Sequence, residues 1–119
     1  MINKINEVVN ALNVIEKERL LTDGLSNLYD GFDNDESLRF KFIEGSKKYH
    51  KINKGTMGIF MIEIATGELF NIKGYGTPDK NKKLKADIGN IQGLFFSDKD
   101  LIDINKIKTL HSKQYNYLR

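Results

Sequence analysis

Met57-Gly58-Ile59-Phe60-Met61-Ile62-Glu63-Ile64-Ala65-Thr66-Gly67-Glu68-Leu69-Phe70-Asn71-Ile72-Lys73-Gly74 decides the fold. The run from Met57 to Ile64 is short, apolar and rich in β-branched and aromatic residues, as a buried strand requires. Phe60, Ile62 and Ile64 point one way and Ile59 and Met61 the other, so both faces are apolar and the strand is central, covered on two sides. Ala65-Thr66-Gly67 is a tight connection in which Gly67 supplies the left-handed residue of a bulged hairpin. Glu68 to Lys73 returns as the partner strand, with Phe70 and Ile72 on one face.

Working outward, Tyr49 to Ile52 reads as a first strand of the same meander. On the far side, Gly74-Tyr75-Gly76-Thr77-Pro78 reads as a rigid exit turn that breaks the sheet. Asp79 to Lys85 is then a polar loop. Ile88 and Ile91 anchor inward, and Leu94-Phe95-Phe96 is an apolar clamp or a short strand. At the N-terminal side, Ile5, Val8, Leu12 and Ile15 recur at helical spacing, predicting a helix from Asn3 to about Leu21 that stops near Gly24. That helix docks on its own sheet or offers a seam for a second chain. Leu25 to Phe32 reads as a second short helix with Leu25, Leu28 and Phe32 inward. Asp33-Asn34-Asp35-Glu36 reads as the cap of a third helix carrying Leu38, Phe42 and Ile43 into the core and ending at Gly45. Near the C-terminus, Ser97 reads as the N-cap of a helix with a Leu101, Ile104, Ile107, Leu110 stripe, and Tyr115 to Arg119 as a packed tail or edge strand. The expected fold is α+β: N-terminal helices, a small, mainly antiparallel sheet of three or four strands, and a C-terminal helix. It forms a single domain over 1–119, with a helical part to 45, the meander and basic loop over 47–96, and a helix and tail over 97–119.

Composition narrows the chemistry. The chain has no cysteine, which excludes disulfides, thiolate nucleophiles and cysteine-based zinc sites. Its longest apolar run, Gly58 to Ile62, is far short of the roughly 20 residues of a membrane span, and its opening reads as an amphipathic helix and not a signal peptide. A soluble, cytoplasmic protein without membrane partners is expected. Serines 26, 37, 46, 97 and 112 lie in no nucleophile elbow. His50 and His111 are far apart in sequence, and the Asp30-Asp33-Asp35 cluster lacks the glycine and terminal glutamate of an EF-hand. Gly74-Tyr75-Gly76 lacks the lysine-serine ending of a phosphate loop. The expectation is therefore a non-enzymatic protein with no metal and no cofactor.

The 19 basic residues outnumber the 16 acidic ones by only three, but they are segregated. Acidic residues gather at Asp30 to Glu36. Lys47, Lys48, Lys51, Lys54, Lys73, Lys80, Lys82, Lys83 and Lys85 all flank the meander, with Tyr49 and Tyr75 among them. Lysines neutralise phosphates and tyrosines stack on unpaired bases, so this set is the candidate binding surface. Lysines at strand edges also guard against aggregation, which is the structural alternative. Arginine is rare, which argues against base-specific readout.

From Lys48-Tyr49 onward the chain resembles a family of small phage and prophage accessory proteins. The shared features are that dipeptide, the Ile59 to Gly67 strand with its Thr-Gly turn, Gly74-Tyr75-Gly76-Thr77-Pro78, the basic Lys80 to Lys85 stretch, Gly89-Asn90 and the Tyr117-Leu118-Arg119 ending. Where relatives often carry arginine before Gly-Asn, this chain has Asp87-Ile88. The resemblance implies a phage or prophage accessory gene, so the cytoplasm of an infected or lysogenic bacterium is the expected location, and a monomer or weak homodimer is the expected state. There it would bind and inhibit a host protein or ribonucleoprotein, such as a CRISPR effector. The lysine and tyrosine set alone points instead to RNA or single-stranded DNA.

Overall fold

The structure, a computed structural model, describes residues 1–74, 77–79, 88–96 and 100–114, and of Lys73 the backbone alone. The fold is α+β, as the hydrophobic periodicities require. Helix α1 spans Ile2–Thr22 and buries Ile5, Val8, Val9, Leu12, Glu16 and Leu20 on one face. A short helix, α2 (Ser26–Gly31), follows. Five strands then form one antiparallel sheet in chain order: β1 (Phe40–Ile43), β2 (Tyr49–Lys54), β3 (Met57–Glu63), β4 (Leu69–Gly74) and β5 (Thr77–Asp79). A separate two-stranded ribbon, β6 (Phe95–Phe96) and β7 (Leu101–Ile102), precedes the last helix, α3 (Ile104–Ser112). Among the described residues, no helix is long and apolar enough to cross a membrane.

The sheet separates two environments. Directly paired residues share a face, so Phe42, Ile52, Phe60 and Asn71 form one row across β1 to β4, and Ile43, Lys51, Met61 and Phe70 form the adjacent row on the opposite face. The helices cover the first row. Ile5, Val8, Val9 and Leu12 of α1 and Ile107 and Leu110 of α3 pack with Phe40, Ile52, Phe60, Ile62 and Leu69 into the main core. Met61, Phe70 and Ile72 are buried as well, outside that core. Strand β3 is thus central and covered on both sides, as its apolar run implied. A bulge modifies the expected alternation: Ile52 pairs with Phe60 but Asn53 with Gly58, so Ile59 is an extra residue and joins Phe60 in the main core.

The Thr-Gly turn forms as its composition demands. Gly67 has φ +76°, its N–H donates to the carbonyl of Glu63 at 2.7 Å, and the Thr66 hydroxyl donates to the Glu63 carboxylate at 2.8 Å. An added side chain at Gly67 would be strained by φ alone.

Five expectations change. The sheet has five strands instead of three or four, because Phe40–Ile43, expected within a third helix with Leu38, Phe42 and Ile43 inward, is an edge strand paired to β2. Only short 3₁₀ turns, Phe32–Asn34 and Glu36–Leu38, occupy the acidic segment, and Asp35 caps the second by accepting from the Ser37 N–H at 3.0 Å. Gly74 and Thr77 are paired, so the glycine-rich turn continues the sheet into β5 instead of breaking it; Tyr75 and Gly76 lie outside the described residues. Helix α3 starts later than its stripe suggested: Asp103 is the cap, accepting from the N–H groups of Asn105 and Lys106, while Leu101 pairs with Phe96 in the ribbon. Finally, Leu25 and Leu28 are exposed, and Phe32 alone of that trio is buried. Lys17 of α1 reaches across this segment, lying over the Tyr29 ring of α2 at 5.2 Å and pairing to Asp33 of the following 3₁₀ turn at 3.0 Å.

Candidate functional site

The face of the sheet away from the helices carries the candidate site. The β1–β2 connection, Glu44 to Lys48, bends back over the start of β2. Gly45 makes this bend possible: a Cβ there would lie 1.7 Å from the Tyr49 carbonyl oxygen, so only glycine can pass. The Gly45 N–H donates to Nδ1 of the buried His50 ring at 2.9 Å, fixing the loop to the sheet. That acceptor role requires an unprotonated Nδ1. The ring also stands edge-on to Phe42, at 5.2 Å between centroids. His50, one of two histidines weighed for chemistry, is thus a fastening of the loop.

Beneath the bend lies an open cleft of about 400 Å³ lined by Ile43 to Lys48 (43–48), Tyr49, Lys51 and Met61. Ile43, Tyr49 and Met61 give it apolar walls. Lys47, Lys48 and Lys51 border it with three ammonium groups, against the single carboxylate of Glu44. Lys47 and Lys48 are exposed, and among the described residues neither pairs with a carboxylate. Lys48 Nζ lies 5.7 Å from the centroid of the Tyr49 ring, whose edge-to-face partner is Phe70 at 6.4 Å. Tyr49 is therefore half-buried and held on two sides.

The structure divides the lysines singled out from sequence. Lys47, Lys48, Tyr49 and Lys51 come together at the cleft. Lys54 does not. It stands three positions after Lys51, so strand alternation sends it to the helix side, opposite Phe40. There its ammonium donates to Glu16 Oε1 at 3.1 Å and lies over the Phe40 ring at 5.7 Å. Lys73 belongs to β4 by its backbone; Tyr75, Lys80, Lys82, Lys83 and Lys85 lie outside the described residues. Ile43, Glu44 and Met61 complete the cleft and carry no sequence signal of a site; only their register beside Lys51 brings them in.

Glu16 organises the second polar cluster. Its side chain is 1% exposed, on the buried stripe of α1. Oε1 accepts from Arg19 as well as Lys54, and Oε2 lies 2.7 Å from His111 Nε2. Burial would raise the carboxyl's pKa, but the hydrogen bonds from His111 and Arg19 and the charge of Lys54 outweigh it and hold Glu16 well below the usual carboxylate range. The cluster ties α1 to β2 and α3. His111, the other histidine weighed for chemistry, serves that junction, with the buried Gln114 donating to its carbonyl at 3.0 Å. Among the described residues, no group of three or more histidine and acidic side chains converges as a metal site.

Compared with protein-family models, with curated proteins and with solved structures, the chain matches none.

Proposed function

We propose that this chain is a non-enzymatic binding protein that captures and inhibits a host factor through the cleft beneath the Glu44 to Lys48 bend. The observation that carries the reading is the pairing of an apolar floor with a basic rim that no carboxylate among the described residues pairs with: Met61, Ile43 and Tyr49 below, Lys47 and Lys48 above. Protein interfaces combine an apolar centre with a polar rim, and rim charges steer the encounter more than they add affinity. A partner that presents acidic groups around an apolar contact fits this surface.

The same geometry argues for a protein over a single nucleic-acid strand. Base stacking needs an open aromatic face, and the Tyr49 ring is held between Phe70 and Lys48. The sequence likeness to phage accessory proteins supports placing the target in a bacterial host, with a defence ribonucleoprotein as one candidate. The test is capture of partners by tagged protein from host lysate, with and without nuclease. A stoichiometric protein that survives nuclease is expected; a partner set that vanishes with nuclease would replace the reading with nucleic-acid binding.

A further inference from the structure

The outer edge of β1 continues into the cleft, and its backbone is poised to receive another strand. The Asn13 carboxamide of α1 accepts from the Phe40 N–H at 2.7 Å and donates to the Phe40 carbonyl at 2.9 Å, the two bonds a neighbouring strand would make. The main-chain groups of Phe40 therefore face away from β2. Antiparallel ladders alternate, so Lys41 and Ile43 bond to β2 while the N–H and C=O of Phe42 face outward like those of Phe40. Among the described residues no strand lies beyond β1. Asn13 closes the edge at Phe40, and among the described residues no partner beyond β1 bonds the Phe42 main chain.

Both ends of β1 border hollows. One, of about 240 Å³, is lined by Asn13, Glu36, Arg39, Phe40 and Lys41. The other is the cleft. Side chains of an added strand would alternate between two surroundings. One side meets Lys41, Ile43 and the Lys47 and Lys48 rim; the other meets the half-buried Phe42 on the core side of the sheet.

We propose that the partner enters as an extended segment that adds to the outer edge of β1 at Phe42, with acidic side chains over the cleft alternating with apolar ones beside Phe42. Main-chain bonds give such a segment its register and the alternating side chains its specificity. A second copy of this chain fits less well, because pairing two β1 edges would bring the cationic rims together. The proposal rests on the cleft being the partner surface and specifies how the partner is held there.

The probe is a capped Glu-Val-Glu-Val-Glu-Val-Glu peptide titrated into isotope-labelled full-length protein, beside a peptide of the same composition with its glutamates and valines in two blocks. An oligothymidylate serves as the nucleic-acid arm. The alternating peptide should bind about tenfold more tightly than the block peptide, the margin that one or two net hydrogen bonds supply. At saturation, hydrogen exchange of the Phe42 amide should slow by about tenfold. N-methylating the central valine should remove both effects, and Lys47→Glu with Lys48→Glu should weaken binding. Equal affinity for the two peptides, no binding at millimolar peptide, an unprotected Phe42 amide, or tighter binding of the oligothymidylate would each overturn it. Loss of the lysate partner in the double lysine variant, with Phe42 still unprotected by peptide, would leave the cleft reading intact and sink only strand addition.

Discussion

Replacing Glu16 by alanine withdraws the carboxylate on which Arg19, Lys54 and His111 converge; Arg19 keeps its bond to Asp23, while Lys54 and His111 lose this acceptor. Removing one partner of a buried ion pair costs about 3–5 kcal/mol, because the other charge stays buried. The three donors are shielded unequally. Arg19 is 33% exposed, and water can replace its bond; Lys54 at 18% and His111 at 11% are less free to do so. The expected loss therefore sits at the low end, about 3 kcal/mol, against a total stability of roughly 5–15 kcal/mol for a domain. For a chain of this size that lowers Tm by about 10–15 °C. Urea titration followed by far-ultraviolet circular dichroism measures it, with Glu16→Gln, which keeps one acceptor oxygen, falling between alanine and wild type. Replacing Glu16, Lys54 and His111 together by leucine, methionine and leucine should restore much of the loss, since a buried polar cluster exchanged whole for apolar groups is often neutral. A loss below about 1 kcal/mol in Glu16→Ala would refute the view that this carboxylate joins α1, β2 and α3.

The same carboxylate sets an acid limit. Because Glu16 titrates below its ordinary 4.5 in the folded chain, the unfolded chain binds the extra proton first. Its stabilisation is complete above that value and is lost as pH falls through 4.5 toward the lower folded pKa, so wild type should lose stability faster than Glu16→Gln in that window of a pH-resolved urea series. Asn13→Ala strips both bonds from the Phe40 main chain and should cost about 1–3 kcal/mol in the same titration, with faster amide exchange at Phe40. Gly45→Ala forces a Cβ against the Tyr49 carbonyl; it should cost about 2–3 kcal/mol and perturb the His50 ring resonances, because the loop must move.

Helix α1 and strand β3 were legible in the sequence because each repeats its own apolar period over many residues: Ile5, Val8 and Leu12 on one, Phe60 and Ile62 on the other. The Thr66-Gly67 turn was legible because a positive φ restricts the residue. Strand β1 was not. Leu38, Phe42 and Ile43 happen to fall at helical spacing, and what makes Phe40–Ile43 a strand is pairing with β2 and the Asn13 clip, a contact 27 residues away in the chain. Helix α3 carries a misleading stripe for a similar reason: Leu101 continues the period of Ile104 and Ile107, yet the Asp103 cap starts the helix after it. At the site, clustering identified Lys47, Lys48, Tyr49 and Lys51, but sorting Lys54 from Lys51 needed only strand alternation. Glu16 was also within reach, since it stands four residues after Leu12 and four before Leu20 on a buried stripe. A lone carboxylate there demands partners, though nothing local says they are Lys54 and His111.

The central claim is that the cleft beneath Glu44 to Lys48 is where this protein meets its partner. Its most direct test is nuclease-treated capture from host lysate by three forms of the protein: wild type, the Lys47→Glu and Lys48→Glu double variant, and a control with Lys106→Glu and Lys108→Glu on exposed positions of α3. The two variants change net charge equally, at different places. The cleft account predicts that wild type and the α3 variant retain the same stoichiometric protein and that the cleft variant loses it. Equal retention by all three, or equal loss in both variants, would contradict it.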